Sequence, residues 1–196
     1  MVATGPSARL RPGDPVLVYG ATGAIGSAAV QILTFLGADV TAVCDDPYVD
    51  LVRGLGANRV IDRARTDYTR EDRTYRAIVD AVGKSSFLAA RRVLTPGGRY
   101  LSSDLGVHAE IPVLSLATAV LPGRTVLLPL PPRRTQENVR RIRGLVEVGA
   151  FRPLLDRTYP LAEVVAAYRY VESGRKVGNV VLTVAPTVAA STRDGG

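Results

Sequence analysis

Val16-Leu17-Val18-Tyr19-Gly20-Ala21-Thr22-Gly23-Ala24-Ile25-Gly26 is the stretch from which the fold of this chain is read. Its first four residues form the continuous apolar run expected of a strand covered on both faces. After the glycines, Ile25, Ala28, Ala29, Ile32 and Leu33 recur at helical spacing until Gly37 closes the helix. A strand that runs straight through a tight turn into a helix opens a βαβ unit. A glycine at 23 lets the backbone approach a pyrophosphate, and a glycine at 26 lets the helix lie close to the strand. The first-turn N–H groups, around Gly23, Ala24 and Ile25, have no intrahelical acceptors and present partial positive charge to an anion. Gly20, Ala21, Thr22, Gly23, Ala24, Ile25 and Gly26 are therefore the expected cradle of a dinucleotide.

Working outward, the second strand, Asp39–Cys44, ends at Asp45 and Asp46, about 20 residues past the last glycine. A carboxylate there accepts hydrogen bonds from a ribose and repels a 2′-phosphate. Asp46, followed by Pro47, reads as the N-cap of the next helix, which leaves Asp45 for the ribose and favours NAD(H) over NADP(H). Strands are then expected at residues 60–61, 75–82, 99–103 and 125–130, with Pro129 marking the last as an edge or a strand end. Helices are expected at 85–94, 136–148 and 161–173, an apolar helix or loop at 111–121, and a final strand at 179–184. The polar stretch 63–74 reads as a surface loop. The expected fold is α/β: a Rossmann-type doubly wound parallel sheet of about six strands, with a C-terminal helix and strand. Residues 1–14 read as a lead-in, 15–184 as the dinucleotide-binding domain and 185–196 as a flexible tail.

Composition removes other classes. The 196 residues include one cysteine, Cys44, and one histidine, His108. No internal disulfide is possible, and the usual zinc sites, which take three or four ligands, cannot be built from such a set, so no metal is expected. Cys44 reads as a small buried hydrophobe and His108 as a surface residue. The net charge of +7 is carried mostly by arginine, and its densest run, Arg133, Arg134, Arg140, Arg141 and Arg143, falls on an amphipathic helix with Val139, Ile142, Leu145 and Val146 on the other face. That pattern is a solvated helix face, and without a reading element or stacking aromatics it does not point to nucleic acid. No stretch approaches a membrane span, and residues 1–14 have no signal-peptide core, so a cytoplasmic location is expected. Neither lysine has a tyrosine four residues before it, which excludes the Tyr-x-x-x-Lys of short-chain dehydrogenases.

The spacing Gly20, Gly23, Gly26, with Ala21 where a Gly-x-Gly-x-x-Gly reading needs glycine, follows Arg11-Pro12-Gly13-Asp14. Leu55-Gly56-Ala57, Asp80-Ala81-Val82-Gly83, Leu94-Thr95-Pro96-Gly97-Gly98, Arg152-Pro153, Tyr159-Pro160-Leu161 and Gly178-Asn179-Val180-Val181 come after it in order. Over residues 9–184 the chain resembles the zinc-independent, quinone-oxidoreductase branch of the medium-chain dehydrogenase/reductase family. The resemblance implies an NAD(P)-dependent oxidoreductase of the quinone or enoyl reductase type, in which the cofactor carries the hydride chemistry. Val82, Gly83, Ser102 and Ser103, at the ends of the fourth and fifth strands, complete the expected cofactor set. No side chain identifies itself as a proton donor. The family also implies a homodimer paired along the sixth strand, around Val126-Leu127-Leu128.

Three departures stand out. Asp45, Asp46 and Pro47 stand where NADPH-using relatives carry a small hydroxyl residue and a basic one. Asn179 takes a position often held by lysine. Family members also place a GroES-like substrate domain, on the order of a hundred residues, before the unit that here starts near Met1. Two alternatives stay open beside the oxidoreductase: a dinucleotide-binding pseudoenzyme or subunit completed by a catalytic-domain partner, and a cleft reused for a cofactor-free biosynthetic reaction.

Overall fold

The computed structural model describes residues 10–104, 111–120, 123–127 and 136–184. Six strands, β1 (Pro15–Tyr19), β2 (Asp39–Cys44), β3 (Arg59–Asp62), β4 (Tyr75–Asp80), β5 (Leu94–Ser102) and β6 (Thr125–Leu127), form one sheet in the order β3-β2-β1-β4-β5-β6. Every pair in it is parallel. The chain order reverses between β1 and β4, and in such sheets ligands bind outside the carboxyl ends of the strands at this point.

The apolar run of β1 lies at the centre because both of its faces are needed. Val16, Leu17 and Val18 are wholly buried. Leu17 joins Val43, Tyr75, Ile78, Phe87 and Tyr100 on one face. Val16 and Val18 join Val30, Val40, Ala42 and Val52 on the other. The second face is covered by α1 (Ala24–Phe35) and α2 (Val49–Gly54), the first by α3 (Phe87–Ala90) and α4 (Ile111–Val120). This is the doubly wound arrangement expected from the alternation of strands and helices.

Local details differ from the sequence reading, each for a visible reason. The helix expected at 85–94 shrinks to α3 and a 3-10 turn, Arg91–Val93, because β5 begins at Leu94. The turn residues Pro96 and Gly97 then form a bulge inside β5, whose register steps from Tyr75↔Leu94 to Ala77↔Arg99. Asp46 does not cap a helix: a 3-10 turn, Asp46–Tyr48, precedes α2, and the residue at its N-cap is Asp45, which makes no side-chain capping bond. The stretch 63–74 is more than a surface loop, since Tyr68 within it is buried and joins the core. His108, Leu128, Pro129, Arg133 and Arg134 lie outside the described residues.

The sequence reading missed one strand altogether. After α5 (Gln136–Glu147), β7 (Leu155–Pro160) pairs in parallel with β8 (Asn179–Thr183), and α6 (Val164–Glu172) connects the two. No residue of β7 or β8 is fully buried, and β7, with Asp156 and Arg157 in it, shows no apolar run. This second, two-stranded sheet is tied to the first by backbone. Gly178 N–H donates to Thr22 O at 2.7 Å, and Gly23 and Gly178 form an isolated parallel bridge. The Gln31 side chain donates to Arg152 O at 3.0 Å and accepts from Arg152 N–H at 2.9 Å. Gly178 has φ +79°, and a Cβ on it would stand 2.3 Å from Leu154 O. Gly178→Ala should therefore cost about 2 kcal/mol and lower the melting temperature by about 4–8 °C. Thermal unfolding followed by circular dichroism checks this, and an unchanged melt would show that the tie contributes nothing.

Candidate functional site

The glycine turn is built by close approach. Gly20 and Ala21 N–H both donate to Val43 O at 3.1 Å, which fastens the turn to the end of β2. Gly20 has φ +78°, and a Cβ on it would meet Val82 Cγ1 at 2.7 Å. A Cβ on Gly26 would lie 2.1 Å from Gly20 O, so α1 starts directly against the turn and only glycine fits there. Gly23 is different: with φ −73° its added Cβ would meet nothing nearer than Gly20 O at 3.5 Å, so the space outside it is open.

Gly23 N–H is spent on Gly20 O at 3.2 Å, and the first helical bond runs from Ser27 N–H to Gly23 O at 2.9 Å. The N–H groups without helical acceptors are thus those of Ala24, Ile25 and Gly26, one residue further on than the sequence suggested. They stand at the N-terminus of α1, beside the β1/β4 switch point, where an anion is stabilised.

The opposite rim is set by Asp80, the last residue of β4, which the sequence reading noted only as part of a motif. Its carboxylate is wholly buried. It accepts from Val82 N–H at 3.1 Å, Gly83 N–H at 2.9 Å and Ser85 N–H at 2.9 Å. The Tyr100 hydroxyl lies 3.1 Å from the same carboxylate and 2.8 Å from Ser85 O, and the Tyr68 hydroxyl bonds the Ser85 side chain. Burial first, and the Asp80 charge after it, push the Tyr100 hydroxyl well above the usual tyrosine range, so it stays protonated. The network fixes Val82 over Gly20 and holds Gly83 at φ +66°. A lone carboxylate at the end of the apolar run Ala77-Ile78-Val79 was the available signal for it.

Ser102 is buried and accepts from Asp104 N–H at 3.3 Å, while Ser103 is exposed and its N–H donates to Asp80 O at 2.8 Å. Gly20 to Gly26, Asp45, Val82, Gly83, Ser102 and Ser103 therefore all lie at the carboxyl edge of the sheet. Asp45 is half exposed and is gripped by Arg63, a partner the sequence reading did not assign. Beside this pair a cavity of about 290 Å³ is lined by residues that include Tyr19, Tyr68, Arg63, Lys84 and Ser86. The rings of Tyr19 and Tyr68 pack at 5.9 Å.

Among the described residues no group of three or more His, Cys, Asp and Glu side chains could hold a metal ion. Burial, then the charges of Asp45, Asp62 and Asp46, push the Cys44 thiol up to about 11, the reverse of what a thiolate ligand needs. These residues do not fit zinc. The turn and its free N–H groups do fit a dinucleotide.

Residues 55–182 match the family model described as zinc-binding dehydrogenase. The chain is 30% identical over 184 residues to the polyketide synthase GfsB of Streptomyces halstedii, a match covering 92% of this chain and 3% of that protein. Among solved structures it is similar to the quinone oxidoreductase from Coxiella burnetii, with TM-score 0.77 and 22% identity, covering 89% of this chain and 54% of that one. It is also similar to the CurK enoyl reductase, with TM-score 0.73 and 22% identity, covering 90% and 56%. In fold the chain matches both structures over about nine tenths of its own length, and it spans little more than half the length of each.

The two glycines of the turn should respond differently to one methyl group. Gly26→Ala forces backbone apart and should cost about 3 kcal/mol, whereas Gly23→Ala, at an open N-cap, should cost about 0.5–1 kcal/mol. Paired urea unfolding curves measure the gap, and equal losses would contradict the packing described.

Proposed function

Because this chain belongs to the zinc-binding dehydrogenase family, we propose that it is the cofactor-binding unit of a nicotinamide-dependent oxidoreductase of the quinone or enoyl reductase type, with a preference for NAD(H). The observation that carries this reading is the glycine turn pressed against α1, which leaves the Ala24, Ile25 and Gly26 N–H groups open at the switch point of the sheet. When bound, the dihydronicotinamide supplies a hydride. The chain's own part is to hold and orient: the N–H groups take the pyrophosphate, Asp45 accepts from the ribose hydroxyls, and Val82 and Gly83 form the wall fixed by Asp80. No described side chain is assigned as a proton donor.

A second reading, a subunit completed by a partner carrying the catalytic domain, draws support from the C-terminal sheet. Neither β7 nor β8 has a buried residue, and Leu155, Leu161, Val165 and Tyr168 are exposed around it. Parallel strands are normally covered on both faces. β6 is the edge of the main sheet, which supports the homodimer expected along it.

Titration of the purified chain should show NADH binding more tightly than NADPH, and Gly23→Ala should weaken NADH about tenfold by placing a methyl group where the pyrophosphate approaches. Steady-state oxidation of NADH with a panel of quinones and enones should show little or no turnover by these 196 residues alone, since they span little more than half of the solved relatives and no described side chain is assigned as a proton donor. Robust turnover would remove the need for a partner, and absence of any dinucleotide binding would favour a reused cleft. For the homodimer, light scattering should give twice the monomer mass and Leu127→Lys should reduce it. A wild-type monomer at micromolar concentration would sink that pairing.

A further inference from the structure

One cation stands against the ribose acid at the carboxyl edge of the sheet. β3 lies beside β2 with Cys44 opposite Asp62, and Arg63 N–H donates to Cys44 O at 3.0 Å, so the backbone of Arg63 is held next to Asp45. Its guanidinium takes the carboxylate as a fork: Nε donates to Oδ1, and Nη2 to Oδ2 at 3.3 Å. The Asp45 hydrogen bond and charge hold the guanidinium firmly in its charged form, and the Tyr19 hydroxyl adds a smaller contribution. Arg63 also lines the cavity of about 290 Å³, together with Lys84. The neighbouring charges are arranged likewise: Arg65 lies 3.2 Å from Asp62 and 4.0 Å from Asp46.

A carboxylate rejects a 2′-phosphate through its charge, and that rejection weakens when a guanidinium already compensates it. The side chains of Arg63 and Asp45 are 53% and 45% exposed, so their ion pair sits in water and is easily exchanged. A guanidinium fork fits phosphate oxygens as well as a carboxylate, and a phosphate brings more charge. We propose that Arg63 is a specificity-determining residue. It stays on Asp45 when the ribose carries a free 2′-hydroxyl and turns to the phosphate when it does not, so the chain accepts both nicotinamide dinucleotides with a narrow margin. This rests on the dinucleotide reading of the glycine turn and assigns the chemistry of its ribose end.

The test is isothermal titration of the full chain with NADH, NADPH, ADP and 2′-phospho-AMP as separate probes. Wild type should favour NADH over NADPH by less than about tenfold. Arg63→Ala should weaken NADPH about fivefold more than NADH, the scale of one exposed charge contact. Arg63→Lys should recover part of that loss, and Asp45→Asn should turn the preference toward NADPH. The 2′-phospho-AMP to ADP ratio should move in the same directions. A preference for NADH above about a hundredfold, or an Arg63→Ala variant that shifts both dinucleotides equally or neither, overturns the inference while leaving the dinucleotide reading intact. Failure of all four probes to bind wild type overturns that reading, and this inference with it.

Discussion

The contact on which the remaining geometry depends is the one between residues 20 and 26. A Cβ at Gly26 would stand 2.1 Å from Gly20 O, so helix and turn meet backbone to backbone. That approach sets the angle at which α1 leaves β1 and lets Val30 reach Val16 and Val18 on one face of the sheet. It also fixes where the three free N–H groups point. Had a side chain intervened, the helix would stand further off and its positive end would miss the switch point.

Two kinds of polar interaction surround this contact, and burial separates their roles. The Asp80 network is sealed from water, with each carboxylate oxygen satisfied by backbone N–H groups and by Tyr100. Removing any member strands buried partners, so the network acts as a rigid clamp on the β4–α3 loop. The Asp45–Arg63 pair is exposed, and exposed pairs contribute little to stability. In the proposed reading its significance lies in the charge it places at the ribose end. Thus the carboxyl edge of the sheet is rigid around Asp80 and adaptable around Asp45 and Arg63, which is what the proposed reading asks of the two places.

The C-terminal helix and strands belong to a different regime. They touch the main sheet through Gly178 on Thr22 and Arg152 on Gln31, both of them contacts to the β1–turn–α1 segment. The turn proposed to cradle an anion is therefore also held by Gly178, the residue just before β8. With no buried residue in either strand, this unit draws its order from backbone pairing and from that attachment. The chain spans little more than half of the solved relatives, and this unit leaves Leu155, Leu161, Val165 and Tyr168 exposed.

What the sequence by itself determined was the strand, turn and helix at residues 16–36, the parallel alternation after it, and the family. Apolar runs, helical spacing and glycines report local conformation, and local conformation is what one-dimensional patterns encode. The motif order added the family because several short matches recur in register along the chain. Only the tertiary structure decided the rest. Arg63 and Asp45 are 18 positions apart and meet because β3 is laid beside β2. Asp80 became a clamp because Tyr100 and Ser85 were folded against it. β7 stayed illegible because a strand without a buried face has no alternation to read; its pairing came from β8, brought alongside by α6 and by the grip of Gly178 on the glycine turn. Those partnerships join residues distant in the chain, and the distance is closed only when the sheet assembles.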